Sequence, residues 1–204
     1  EDKINFKGFY WNPRNNQIDL EAFNNVDAIV HLAGMSISKR WTKSNKREIL
    51  QSRTQTANLI YNSLDGIDHT VRHFVSASGI GIYPHSETKL YNEESHELGE
   101  SFLAEVVLAW EAATDTFRDL GVDVTKVRTG MVLSKNGGAL PKLERIFKFG
   151  LGAQLGNGEQ WQSWIHINDI VGILFFILKM ELEGVYNAVA PDPVTNKKFT
   201  KDLA

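Results

Sequence analysis

Ser78 and Tyr83 stand five residues apart in one short segment, and both carry hydroxyls able to pass a proton to a ligand oxygen. Arg53 falls on the apolar stripe of a helical pattern. A cation in that position calls for a buried partner or an anionic ligand group. His69 and His73 are four apart, a metal-ligand spacing only within a helix, but they enter a strand pattern, so no metal site is expected there. Gly79-Ile80-Gly81 lacks the third glycine of a phosphate-binding turn and opens a loop rather than a helix, which reads as loop geometry. With no cysteine among 204 residues, thiolate catalysis, disulfides and cysteine-ligated metals are excluded.

The elements that must position these groups alternate. Residues 27–33 (DAIVHLA) form a short apolar run closed by Gly34, as in a buried parallel strand. A helix follows over 44–64 with Ser44 as its expected N-cap. A second strand spans 73–78. Phe102, Leu103, Val106, Val107, Trp110, Ala113, Phe117 and Leu120 share the stripe of a helix over 100–120, stopped by Gly121. Further strands are expected at 122–127, 164–167 and 185–190. Helices are expected at 140–149, at 170–180 with Asn168 as cap, and at 197–204. This order predicts an α/β fold with a doubly wound parallel sheet. In such sheets ligands sit beyond the carboxyl ends of the strands. Attention therefore falls on residues 32–34, 76–83, 128–132 and 164–169.

Composition narrows the partners. Twenty-two basic against 25 acidic residues give a net charge of −3, which offers no bulk attraction to nucleic acid or anionic membrane. The longest apolar run, 170–178, is too short to span a bilayer, and no signal-peptide pattern opens the sequence. The expectation is a cytoplasmic protein with a small-molecule substrate, no nucleic acid and no membrane.

Five segments in order, HLAGMSISKRW, SASGIGIY, FLAEVVLAWE, VRTGMVLSKNGG and SWIHINDIV, resemble the atypical extended short-chain dehydrogenase/reductases. These are the NAD-dependent epimerase/dehydratase, or nucleoside-diphosphate sugar epimerase-like, proteins. The likeness runs from Tyr10-Trp11 to the last residue. It implies a Rossmann-like domain binding NADP or NAD. The domain's remainder is expected over residues 1–135, and a small substrate-side region over 136–204. The resemblance assigns Leu32, Ala33 and Gly34, Ser76, Ala77 and Ser78, and Gly130 and Met131 to the cofactor. It assigns Arg40, Arg53, Trp164 and His166 to the substrate side, and no residue to a metal. The family's glycine-rich turn after its first strand has no counterpart, so a further βαβ unit is expected upstream of Glu1.

The family's usual Tyr-x-x-x-Lys pair is also missing. The aligned helix carries Phe102 and Val106 at those positions. Tyr10, Tyr61, Tyr83, Tyr91 and Tyr186 are followed four residues on by Arg14, Asp65, Glu87, Ser95 and Ala190. Ser78 and Tyr83 are left as the catalytic hydroxyls of an epimerase/dehydratase or reductase acting on a sugar nucleotide or small carbonyl. The alternative is a non-catalytic NADP(H)-binding sensor working through a protein partner. A third reading is a scaffold that has lost the cofactor too. Family members dimerise through two helices, here 44–64 and 100–120, with Val107, Trp110 or Phe117 as contacts if they do not face the sheet.

Overall fold

The computed structural model describes residues 6–204; the first five residues of the expected 1–135 domain lie outside them. A two-residue hairpin, β1 (Trp11–Asn12) with β2 (Gln17–Ile18), precedes β3 (Ala28–His31). Then come α1 (Lys43–Asp65), β4 (His73–Gly79), α2 (Phe102–Asp115), β5 (Asp123–Thr129), β6 (Met131–Ser134) and β7 (Gly137–Gly138). The rest comprises α3 (Leu140–Lys148), β8 (Trp161–Gln162), β9 (Trp164–His166), α4 (Ile167–Met180), β10 (Gly184–Ala188), β11 (Val194–Thr195) and α5 (Asn196–Leu203).

The central sheet is parallel, in the order β10-β5-β4-β3. Its strands read as continuous apolar runs because both faces are covered: His73 to Ser76 are all buried on β4. A three-stranded sheet, β7-β6-β9, and a two-stranded one, β11-β8, were not legible as strands, apart from β9. Short strands lack the length to show a period.

The expected helices are all present, with shifted ends. Thr42, not Ser44, caps α1: its Oγ1 accepts the Asn45 N–H at 3.2 Å. His166, not Asn168, caps α4: its Nδ1 accepts the Asn168 N–H at 3.2 Å. Here a ring nitrogen does what a short polar side chain usually does. The expected helix over 100–120 stays α-helical only to Asp115 and tightens into a 3₁₀ segment over Thr116–Leu120. Gly121, at φ 72°, stops it as expected.

The chain divides into two compact units, Glu1–Ser76 with Leu108–Val124, and Ala77–Val107 with Thr125–Ala204. The core of the first is aromatic. Phe74 of β4 lies parallel to Phe117, centroids 3.7 Å apart, while Tyr61 meets Phe117 edge-on at 5.7 Å. Ala57, Ile60 and Leu64, on one face of α1, close over them with Phe23, Val71, Val122 and Val124. Val107, Trp110 and Phe117 are all buried, so none of the three offers contact area to a second copy. No helix of the described residues is long and apolar enough to cross a membrane.

Candidate functional site

In the first unit the segment after β3 leaves Leu32 exposed and Ala33 half-buried. Both border an apolar groove of about 330 Å³, lined also by Trp11, Ile18, Phe23 and Ile29. Gly34 comes next, where a Cβ would lie 3.1 Å from Arg53 Cζ and 3.3 Å from its Nη2. A side chain at 34 would therefore have to push the guanidinium aside by a few tenths of an ångström. The structure thus sets Gly34, which the resemblance assigns to the cofactor, against Arg53, which it assigns to the substrate side. Arg40 is exposed, and its backbone oxygen accepts from Thr42 N and Asn45 Nδ2.

Arg53 is held from below. Its Nη1 donates to Ile49 O at 2.9 Å and approaches Ser52 Oγ at 3.4 Å, and its Cζ sits 5.0 Å from the centroid of the Trp110 ring. Ser52 Oγ also accepts the Met35 N–H at 2.8 Å, tying the turn to α1. Burial pushes the Arg53 pKa down from its ordinary value. His31, at the end of β3, is buried in the core and stacks on Phe74.

In the second unit, Ser78 is buried, Ala77 is half-buried, and Tyr83 closes the 3₁₀ turn Ile80–Ile82. Gly81 lets that turn lie against α2, since a Cβ there would be 3.2 Å from Leu103 Cβ. The Gly-x-Gly is thus used in packing. Ser76, fully buried on β4, belongs to the first unit. Val106, at the place of the family lysine, is buried too.

Tyr83 has partners that periodicity does not show. Arg128 Nη1 donates to its hydroxyl at 2.9 Å. A guanidinium has only donors, so the phenol proton points to the other neighbour, Asn187 Oδ1, at 2.9 Å. Parallel register explains the meeting: Asn187 of β10 is the Cα partner of Arg128 of β5. Tyr91 stacks on Tyr83 at 5.6 Å and 9°, and Glu93 accepts the Asn187 N–H at 2.6 Å. The expected strand ended at 127 and left Arg128 in the following loop, whereas β5 runs to Thr129 and buries that arginine, which then needs a polar partner.

Gly130, Met131 and Trp164 are also brought together. Met131 N donates to Ser163 O at 2.9 Å, and Met131 is the Cα partner of Trp164. A Cβ at Gly130 would come within 2.7 Å of Ser163 O and 3.0 Å of Val189 Cγ1. Backbone oxygen cannot yield as a side chain does. Gly130→Ala should therefore cost about 1–3 kcal/mol as overpacking, read as a lower urea midpoint at constant slope. An unchanged midpoint would show that the loop relaxes freely. Trp164 Nε1 donates to Asp192 O at 3.2 Å. His166 Nδ1 accepts the cap bond, so its Nε2 carries the proton of the neutral ring.

A sequence model of the NAD dependent epimerase/dehydratase family matches residues 4–188. An epimerase family protein of Mycobacterium leprae is 35% identical over 198 residues, 96% of this chain and 64% of its own length. One from Staphylococcus epidermidis is 37% identical over 180 residues, 88% of this chain and 60% of the other. Among solved structures, the human epimerase family protein SDR39U1 (isoform 2) with NADPH superposes with a TM-score of 0.77 and 33% identity, over 88% of this chain and 63% of that one. The nucleoside-diphosphate sugar epimerase of Corynebacterium glutamicum gives 0.80 and 35%, over 95% and 40%. The chain spans about three-fifths of the length of these curated relatives. A parallel sheet with small residues at its strand ends, and relatives matched along nearly the whole sequence, place this chain in the NAD-dependent epimerase/dehydratase family.

Proposed function

We propose that the protein is an NAD(P)-dependent epimerase/dehydratase or reductase acting on a sugar nucleotide or small carbonyl, with Tyr83 and Arg128 in place of the missing Tyr-x-x-x-Lys pair. The observation that carries this reading is the 2.9 Å bond from Arg128 Nη1 to the Tyr83 hydroxyl. A cation already donating to the phenol oxygen meets the negative charge that develops there as the proton leaves, with no reorganisation at the moment of transfer.

The nicotinamide, when bound, supplies or accepts the hydride. The groove beside Leu32 and Ala33 suits the flat apolar face of a base, and Gly34, the next residue, is assigned to the cofactor with them. Ser76, Ala77, Ser78, Gly130 and Met131 complete the set we assign to NADP or NAD. Tyr83 holds the proton for the substrate oxygen, Ser78 orients that oxygen by hydrogen bond, and Arg40, Arg53, Trp164 and His166 are the residues we assign to the substrate. The relative crystallised with NADPH supports this reading of the cofactor.

A second reading, the non-catalytic NADP(H) sensor, is favoured by the phenol proton resting on Asn187. Titration calorimetry of the full-length protein with NADP(H) and NAD(H), followed by single-turnover oxidation of bound NADPH across a panel of carbonyls and sugar nucleotides, decides. Binding with slow hydride transfer is the expected result. Binding without transfer across the panel selects the sensor. No binding of either dinucleotide by folded protein overturns both.

A further inference from the structure

An arginine taken half out of water without a counter-ion is costly, because the desolvation it suffers is not repaid by a Coulombic partner. Arg53 is in that state. Its hydrogen bonds go to Ile49 O and Ser52 Oγ, both through Nη1, and no carboxylate of the described residues pairs with it. Its neighbour His31 adds no negative charge, since its ring is neutral or cationic. The Trp110 indole beneath the guanidinium is itself buried, with a ring N–H that finds no acceptor. A half-buried cation without a carboxylate partner thus lies over a buried indole donor without an acceptor among the described residues, and the fork of Arg53 is held by its helix before any ligand arrives.

Buried donors without partners mark a place where a group is missing. The geometry points to Arg53 as an anion-receiving residue: its Nη2 edge, at the Gly34 turn, takes an oxygen of a phosphate or carboxylate on the bound ligand. Seating on Trp110 and the Ile49 carbonyl preorganises the fork, so little side-chain entropy remains to be lost on binding. Gly34 is a positioning residue for it, because any side chain there would press on Cζ at 3.1 Å. This deepens the reading of the protein as a dinucleotide-dependent enzyme and rests on it for the choice of ligand. The cation beside the turn does not.

Two sources can bring such an anion, the diphosphate of the dinucleotide or that of a sugar-nucleotide substrate. The test is calorimetry on the full-length protein with inorganic pyrophosphate, NADPH and UDP as separate probes, and with tryptophan fluorescence as a second readout. In the wild type, pyrophosphate should bind and alter the emission, and Trp110→Phe should remove that change. Arg53→Met should weaken pyrophosphate about 10–100-fold, the usual worth of a hydrogen bond to a charged group. Gly34→Ala should weaken it less, by displacing the guanidinium rather than deleting it. Arg53→Lys should recover only part, since an ammonium keeps the charge and loses the fork.

NADPH weakened in parallel, with UDP unaffected, assigns the anion to the dinucleotide; the reverse assigns it to the substrate. Pyrophosphate binding that depends on Arg53 in a protein that binds no dinucleotide keeps the anion site and removes the cofactor reading. Affinities for all three probes unchanged in a folded Arg53→Met overturn the inference. Should that variant fail to fold, full affinity in folded Gly34→Ala overturns it equally. A wild type that binds none of the probes overturns it as well.

Discussion

Replacing Ser78 by alanine and Tyr83 by phenylalanine together is expected to lower single-turnover hydride transfer by ~10²–10⁴-fold, the usual worth of general acid–base help, while dinucleotide affinity falls far less, by the loss of the one Ser78 hydroxyl. The step is balanced at the phenol. A bound nicotinamide would supply the hydride to a carbonyl carbon; the part of this chain is the proton, the Tyr83 O–H bond breaking as the alcohol O–H bond forms, with solvent returning the proton to the phenol. Arg128, at 2.9 Å, is the group in place to hold the transient negative charge. The competing outcome is structural. Phenylalanine at 83 takes one partner each from Arg128 and Asn187, and a buried polar group left short of a bond costs about 1–3 kcal/mol. Urea unfolding of the same variant separates the two. A lower midpoint with intact transfer makes Tyr83 a clasp between the loop after β4 and the strands β5 and β10. A lost rate at a near-native midpoint makes it the donor.

Why the tyrosine was visible and its cluster was not is a matter of separation along the chain. The segments of the sheet announce themselves by local pattern: apolar runs at β3, β4 and β5, stripes on α1 and α2, a glycine at 121. Ser78 and Tyr83 are five residues apart, so one loop presents both. Arg128 lies 45 residues from Tyr83 and Asn187 lies 104 residues from it, and only parallel register makes them neighbours. Likewise Arg53 stood out as a charge on an apolar stripe, whereas its seat on Trp110 depends on two helices meeting. The resemblance assigns Gly130 to the cofactor; the structure adds a packing need, room for Ser163 O, which lies 33 residues on. Caps were misplaced by two residues where a neighbouring side chain, Thr42 or His166, reached the open amide first.

Acid should weaken the fold through His31, and the sign follows from its surroundings. The Thr56 hydroxyl donates to Ser52 O at 2.8 Å, or to Arg53 O at 2.9 Å, so at His31 it accepts from Nε2–H, 2.9 Å away. Nδ1 is then the bare nitrogen, and it is buried without a donor. A proton added there meets no acceptor. Burial first, and the Arg53 charge second, lower the His31 pKa from 6.5 to about 4. The unfolded chain therefore binds a proton that the native state refuses between those two values. Stability is fully present above pH 6.5 and is lost as pH falls towards 4, by about 3 kcal/mol in all. Urea midpoints taken every half unit across that window should decline in the wild type. In His31→Gln, which keeps a polar group and cannot titrate, this component should vanish. Arg53→Met should shrink it, because the second of the two causes goes with the guanidinium. Equal declines in wild type and His31→Gln would assign the acid sensitivity to other groups. A decline undiminished in Arg53→Met would mean that burial alone keeps the ring neutral, and that the cation beside the Gly34 turn is screened from the histidine behind it.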